Sequence, residues 1–123
     1  ANMPGSSGGR IVAAPFAKLC GACCEAFVNC TPLGMSGGPA PDESPIPASE
    51  MEHIPHGSVI FDTVYNPLRT PLLEAALDHN LTIVDGAEMF VRQAEAQFKL
   101  FTGAEAPNGL FDRLVRERLR EPR

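Results

Sequence analysis

The chain has 123 residues, of which 44% are hydrophobic, and a formal net charge of -5 at pH 7. This length suits one domain or part of one. The acidic balance, with a pI near 5.1, argues against nucleic acid as a main partner, because phosphate binding requires a basic surface. No apolar run approaches the roughly 20 residues that cross a bilayer, and the first residues lack the pattern of a secretory signal. We therefore expect a cytoplasmic protein that does not enter a membrane.

Residues 1–24 show no clear pattern and are expected to form a poorly defined N-terminal segment. Within them, Arg10–Ala14 predicts a short strand and Pro15–Cys24 a short helix or loop. Four cysteines lie close together: Cys20, Cys23, Cys24 and Cys30. A structural zinc site usually needs a second, distant pair of ligands, so the spacing favours small buried thiols beside a strand. A reactive or metal-binding thiol is the alternative, and we predict no metal.

From residue 25 the pattern predicts alternating strands and helices. Glu25–Cys30 and Val59–Val64 are continuous apolar runs, which is typical of parallel strands covered on both faces. The proline-rich stretch Ser36–Pro55 between them has little periodicity and predicts a surface excursion, with one helical turn at Ala48–His53.

Thr70 and Pro71 predict a helix start, since threonine can cap free amide groups and proline is tolerated in the first turn. The helix ends at Asn80, and Leu81–Val84 is a further short strand. Three helical faces are predicted to be apolar. They are formed by Leu72, Leu73, Ala76 and Leu77; by Phe90, Val91, Ala94, Phe98 and Phe101 in a helix from Ala87; and by Phe111, Leu114, Val115 and Leu119 in a helix over Pro107–Arg120.

The arginines of the last helix alternate with acidic residues, which favours a solvated helix face over an anion-binding patch. The order of elements predicts an α/β fold in which residues 25–123 form part of a doubly wound parallel sheet with C-terminal helices. Three strands make a thin sheet with two open edges, so we expect poor stability or self-association of the chain alone.

Ligands of such sheets bind beyond the carboxyl ends of the strands. Three polar clusters follow the predicted strands: Asn29–Met35, Asp62–Pro67 and Asp85–Gln93. Gly34 would allow close approach of a ligand, Tyr65 offers a hydroxyl, and Gly86 precedes a helix whose free amide groups attract anions. Each cluster taken alone is also compatible with an ordinary turn after a strand, or with a side chain that only packs against its neighbours.

The motifs N-x-T-P-x-G-M, V-x-x-D-x-x-Y-N-P-x-x-T-P-L-L and D-G-x-x-M-x-V-x-Q-A-x-x-Q-F-x-x-x-T-G stand in this order between Asn29 and Gly103. Over about Ala26–Leu119 the chain resembles the C-terminal part of shikimate dehydrogenase, in the shikimate/quinate dehydrogenase family. The resemblance implies the C-terminal half of a Rossmann-like NADP-binding domain. It also implies an oxidoreductase that reduces 3-dehydroshikimate to shikimate in aromatic amino-acid biosynthesis, the chorismate pathway.

The resemblance also implies site residues. Tyr65 and Gln93 match positions that hold the carboxylate and the ring hydroxyls of shikimate, respectively. The matching cofactor positions lie along the ribose and nicotinamide of NADP: Thr31, Pro32, Met35, Thr63, Gly86 and Met89.

Two parts of the family pattern are absent from this chain. The catalytic lysine and its aspartate belong to an N-terminal substrate domain, and neither Lys18 nor Lys99 stands in a matching setting. No glycine-rich phosphate loop follows a strand. We therefore predict no catalytic residue here, negligible turnover by the chain alone, and dependence on a missing substrate domain or a partner chain. A quinate or NAD-dependent relative, a non-catalytic shikimate sensor and a plain structural fragment are the alternatives.

Overall fold

The structure, a computed structural model, describes residues 12–15 and 24–120. Its elements are β1 (Ala26–Asn29), α1 (Ala48–Met51), β2 (Val59–Asp62), α2 (Pro71–Asp78), β3 (Thr82–Val84), α3 (Gly86–Thr102) and α4 (Leu110–Arg120). Every strand and helix predicted beyond residue 24 is present, with ends that differ by up to three residues. The strand predicted over Arg10–Ala14 is wrong where it can be compared, because residues 12–14 form no strand. Most of the segment predicted over Pro15–Cys24 lies outside the described residues.

The three strands form one parallel sheet in the order β1-β2-β3. Phe27 lies opposite Ile60, and Ile60 opposite Ile83, so these three side chains share one face. The parallel α/β fold with C-terminal helices is therefore confirmed, and in the described residues β1 and β3 are its edges.

The hydrophobic core lies between this face of the sheet and α2. Leu72, Leu73 and Ala76 of α2 are buried against Phe27 and Ile60. The helix begins as predicted: Pro71 takes the first position, and the Thr70 hydroxyl accepts a hydrogen bond from the Leu73 amide.

The segment between β1 and β2 contributes to this core, so the prediction of a surface excursion is wrong for three of its side chains. Ile46, Met51 and Ile54 are buried in the core cluster. Ile46 lies in a bend, Met51 is the last residue of the one-turn helix α1, and the Ile54 amide donates to the Met51 carbonyl in the turn that follows. Three apolar residues spread over a bend, one helical turn and a further turn are too few to form a period, and for this reason the sequence pattern did not reveal them.

The second face of the sheet is more open, which corrects the prediction that β1 is covered on both sides. Ala26 and Val28 of β1 are exposed, Val28 by 53%, and they share this face with Phe61 of β2 and Val84 of β3. The described helix α2 packs against β2 and β3 on the core side. An apolar strand thus lacks, in the described residues, the second layer that its composition indicates.

Helices α3 and α4 pack against each other through an edge-to-face contact between Phe98 and Phe111, whose ring centroids are 5.8 Å apart. The prediction of buried apolar faces is wrong for four exposed side chains, namely Leu77, Phe90, Phe101 and Leu114, of which Phe101 is 86% exposed. Helical spacing places residues on one face, but a neighbouring element must extend along that face to bury them.

The described cysteines do not match the prediction of buried thiols: Cys30 is exposed and Cys24 is half-buried. Cys20 and Cys23 lie outside the described residues. Within residues 12–15 and 24–120, no group of three acidic, histidine or cysteine side chains is placed to hold a metal ion. No helix in this part of the chain combines the length and the apolar character needed to cross a bilayer.

Candidate functional site

A cleft of about 510 Å³ opens where β1 and β2 end. The residues after these strands line it, together with Leu119 from α4. Five of the predicted contact residues are brought together here: Thr31, Pro32, Met35, Thr63 and Tyr65. Parallel strands place their carboxyl ends at the same edge of a sheet, and this explains why segments more than 30 positions apart meet.

Tyr65 is held at the cleft by an aromatic contact with α3. Its ring stacks on that of Phe90, with centroids 5.0 Å apart and an angle of 23° between the planes. The residue is 44% exposed, so the stacked ring also faces the cleft. Phe90, predicted as a core residue, therefore serves as the support of Tyr65.

Beneath the cleft lies a buried polar cluster formed by Asn29, Asp62 and Thr70. Asn29 and Asp62 are opposite each other at the last pair of β1 and β2. The Asp62 side chain has no exposed surface and accepts hydrogen bonds from the Thr70 hydroxyl (2.6 Å), the Asn29 side-chain amide (3.0 Å) and the Val64 backbone amide (3.0 Å). No buried side-chain nitrogen or oxygen of the described residues lacks a partner. Such complete pairing offsets the cost of burying an acidic side chain.

The same cluster determines what the two cleft threonines can offer a ligand. The Asn29 side-chain oxygen accepts hydrogen bonds from both the amide (2.9 Å) and the hydroxyl (2.7 Å) of Thr31. The Thr63 hydroxyl donates to the Asn29 backbone carbonyl at 2.8 Å. Because a hydroxyl has only one hydrogen to donate, both threonines present backbone, methyl groups or lone pairs to the cleft.

Gly86, the first residue of α3, lies directly behind the cleft. A Cβ atom at this position would be 2.3 Å from the Val64 carbonyl oxygen and 2.7 Å from that of Thr63. The N-terminus of α3 therefore approaches the end of β2 more closely than any side chain would allow. Gly86 is buried, and it supports the loop that carries Thr63 and Tyr65.

An ion pair connects α4 to this end of α3. The Asp85 carboxylate caps α3 by accepting from the Glu88 amide at 2.8 Å, and the Arg116 guanidinium lies 3.2 Å from Asp85 and 2.7 Å from Asp112. The hydrogen bond to Asp112 and then that to Asp85 raise the pKa of Arg116 above its ordinary value, against the lowering effect of burial. Arg116 is 30% exposed in its side chain, so the prediction of a purely solvated arginine face is wrong at this position.

Met89 and Gln93 lie outside the cleft. They line a neighbouring groove on the open face of the sheet, together with Phe61 and Val84. Gln93 is exposed and Met89 half-buried. Both residues belong to α3, and neither of them lines the cleft that contains Tyr65.

Sequence reasoning did not assign roles to Asn29, Asp62, Thr70 as a hydroxyl donor, or Arg116. A signal for the first two was visible, because a polar side chain ends each of two otherwise apolar strands. Arg116 gave no such signal, because only the packing of α4 against α3 distinguishes it from the other arginines of the helix.

A parallel sheet with crossover helix, a tight glycine contact at a helix start and a cleft at the strand ends together define part of a Rossmann-like domain. Comparison with known proteins shows which proteins the chain resembles. Residues 86–119 match the family model described as Shikimate 5'-dehydrogenase C-terminal domain. Over 84 residues the chain is 42% identical to a shikimate dehydrogenase (NADP(+)) of Pelodictyon phaeoclathratiforme, covering 68% of this chain and 28% of that protein.

Two solved structures are similar over most of the chain. A shikimate 5-dehydrogenase of Thermus thermophilus, in complex with NADP(H) and shikimate, is 30% identical with a TM-score of 0.69 and covers 85% of this chain and 37% of that one. A quinate dehydrogenase of Corynebacterium glutamicum, in complex with NAD, is 29% identical with a TM-score of 0.65, over 86% and 34% of the two chains. The chain is therefore related to the C-terminal part of shikimate dehydrogenases, as its motifs indicated, and spans about a third of their length.

Proposed function

We propose that the chain is the C-terminal part of an NADP-dependent shikimate dehydrogenase that reduces 3-dehydroshikimate to shikimate. The observation that carries this proposal is the single cleft that unites the loops after β1 and β2, with Tyr65 at its rim and Thr31, Pro32, Met35 and Thr63 along its wall. Relatives that are similar over most of this chain are named for this activity.

In this proposal the residues of the chain bind and orient, while the bound cofactor supplies the hydride. The apolar side chains of Pro32 and Met35 suit a nicotinamide ring. Hydrogen bonds to Asn29 fix Thr31 and Thr63 in the cleft wall, which would help to orient that ring. Tyr65 would hold the substrate carboxylate, and its stack on Phe90 limits the freedom of the ring before binding.

In this proposal the catalytic proton donor is expected outside this chain. Among the described residues that line the cleft, none is a lysine, a histidine or an acidic residue. The proton that completes reduction of a carbonyl to an alcohol would then come from a missing substrate domain or a partner chain. We expect the 123-residue chain alone to give negligible turnover.

Quinate as substrate with NAD as cofactor is the second candidate. It is favoured by the similarity to the quinate dehydrogenase of Corynebacterium glutamicum, at nearly the same identity as the shikimate enzyme of Thermus thermophilus. Steady-state kinetics with shikimate or quinate and NADP or NAD, on the chain joined to its upstream coding sequence, separates the two. A protein that binds shikimate without turnover in any combination would instead be a sensor.

The first test of the site uses this joined protein with Tyr65→Phe. We expect kcat/KM for shikimate to fall about tenfold or more, mainly through KM, because a hydrogen bond to a charged group is lost while the aromatic stack is kept.

Gln93→Ala tests the second substrate contact, with Gln97→Ala, an equally exposed glutamine one turn further along α3, as its control. A fall in kcat/KM for Gln93→Ala and none for Gln97→Ala is expected. Wild-type kinetics in both Tyr65→Phe and Gln93→Ala would contradict the assigned substrate contacts.

A further inference from the structure

The buried cluster of Asn29, Asp62 and Thr70 joins segments that each carry one part of the cleft. Its members lie under the cleft wall, and three residues that line the cleft are their hydrogen-bond partners, namely Thr31, Thr63 and Val64. We infer that Asn29 and Asp62 are positioning residues that fix the two cleft loops relative to each other. They act through their hydrogen bonds to Thr31 and Val64, and Thr70 holds Asp62 in place. The effect of this fixed arrangement on binding and turnover rests on the proposed function, whereas the arrangement itself does not require a ligand.

The first step of the argument is the loop after β2. Asp62 accepts the backbone amide of Val64, the residue immediately before Tyr65, and so fixes the direction in which the chain leaves the strand. Thr70, at the start of α2, donates to the other carboxylate oxygen of Asp62. The loop that contains Tyr65 is thus closed at both ends by one fully buried side chain.

The second step is the loop after β1. The Asn29 side-chain oxygen accepts both donors of Thr31, and its amide donates to Asp62. Asn29 therefore links the position of Asp62 to that of Thr31, the second residue after β1. Aspartate at this position could not donate to Asp62, and serine would be too short to reach both partners.

The third step is a backbone contact further along the two loops, where the Ser36 amide donates to the Asn66 carbonyl at 2.8 Å. The loops are consequently connected near their starts by Asn29 and Asp62 and again beyond Met35 and Tyr65. Two connections prevent one loop from rotating about the other, so the cleft wall and Tyr65 move as one body. A cluster that served only to cap α2 would need Thr70 but neither Asn29 nor the Val64 contact.

The experiment uses the chain without ligand, so its failure does not depend on the proposed activity. Tyr65 is the only tyrosine and the chain has no tryptophan, so tyrosine emission reports on the cleft loop alone. Residue-resolved amide hydrogen exchange at Thr31, Val64 and Ile60 is followed by mass spectrometry, together with acrylamide quenching of Tyr65, at concentrations below those at which the chain is expected to self-associate. The variants are Asn29→Ala and Asp62→Ala, with Asp42→Ala in an exposed turn as the matched control.

For Asn29→Ala we expect exchange at Thr31 to rise roughly tenfold while Val64 stays protected, as expected when one buried hydrogen-bond partner is removed. For Asp62→Ala we expect Val64 to exchange faster and Tyr65 to be quenched more readily, with Ile60 unchanged in both variants. The control should match the wild type at all sites.

An equal rise at Ile60, Thr31 and Val64 in either variant would show that the cluster only stabilises the sheet, and it would overturn the inference. Unchanged exchange at Thr31 in Asn29→Ala would overturn it as well. If Asp62→Ala does not fold, Asn29→Ala still decides between a local and a global effect, because Asn29 is at the end of an edge strand.

Discussion

Gly86 sets the distance between α3 and the end of β2. In Gly86→Ala the new Cβ would meet the Val64 and Thr63 carbonyl oxygens at 2.3 and 2.7 Å, and both are backbone atoms that cannot rotate away. We expect the free energy of unfolding to fall by about 1–3 kcal/mol, the usual range for overpacking. Urea denaturation measures this change. Tyr65 emission should change too, because a displaced α3 carries Phe90 away from Tyr65.

Gly103→Ala is the matched control for this substitution. Gly103 ends α3 at φ 71°, and a Cβ there meets no atom within 4 Å. Its substitution should cost about 1 kcal/mol of backbone strain and leave the Tyr65 signal as it is. Equal effects of both substitutions on Tyr65 emission would contradict a specific role of Gly86 at the cleft.

Single residues also show where prediction from sequence stopped. The motifs located Thr31, Thr63 and Tyr65 at one cleft, since strand ends of a parallel sheet coincide. They could not show that both threonine hydroxyls donate inward, because this depends on Asn29 lying opposite Asp62, and register is a tertiary property. Gly86 was noted for its place before a helix, yet the reason for glycine is a contact with a different strand.

At the scale of elements, the ion pair between Arg116 and Asp85 connects α4 to the start of α3, in addition to the contact between Phe98 and Phe111. We expect Arg116→Met to lower the free energy of unfolding by about 1 kcal/mol or less at low salt, since the pair with Asp85 is partly exposed, and the loss should shrink as salt rises. Arg113→Met, an exposed arginine of the same helix, is the control and should have no effect. Urea denaturation at two salt concentrations measures both. If the loss of unfolding free energy in Arg116→Met did not depend on salt, it would come from packing of the aliphatic part of the arginine and not from the ion pair.

The pH dependence of this ion pair follows from the direction of its shift. The pKa of Arg116 is raised in the folded state by Asp112 and Asp85, so the guanidinium's contribution is complete below the ordinary pKa of an arginine. It would be lost only as the pH rises through the raised value. Ordinary arginine titrates above about pH 12, so between pH 6 and about 9 the contribution should be constant.

The types and order of the elements could be predicted because helix caps and apolar periods depend only on nearby residues. Thr70 and Pro71, for example, marked the start of α2. Burial could not be predicted in the same way. Phe90 and Phe101 follow the apolar period of α3, but the described part of α4 covers Phe98 and not the last turn. Ile46, Met51 and Ile54 were missed for the opposite reason, since they fill the core without any period.

At the scale of the whole molecule, β1 is an edge strand with an uncovered apolar face within residues 12–15 and 24–120. Val28 is 53% exposed, and the neighbouring Ala26 is also exposed. Backbone groups at a sheet edge pair readily with another strand, and exposed apolar side chains favour such contact. The chain spans about a third of the length of related enzymes.

We therefore expect the 123-residue chain to self-associate through β1 between about 10 μM and 1 mM, the range in which exposed strand edges and apolar surfaces associate. Sedimentation velocity across this range measures it. Val28→Lys should suppress association, because a lysine on an edge strand opposes pairing with a second copy. Phe101→Lys removes a side chain that is even more exposed but lies on a helix whose backbone groups are already paired, so it should leave association unchanged. Suppression by Phe101→Lys alone would assign the contact to the end of α3 and contradict association through the sheet edge.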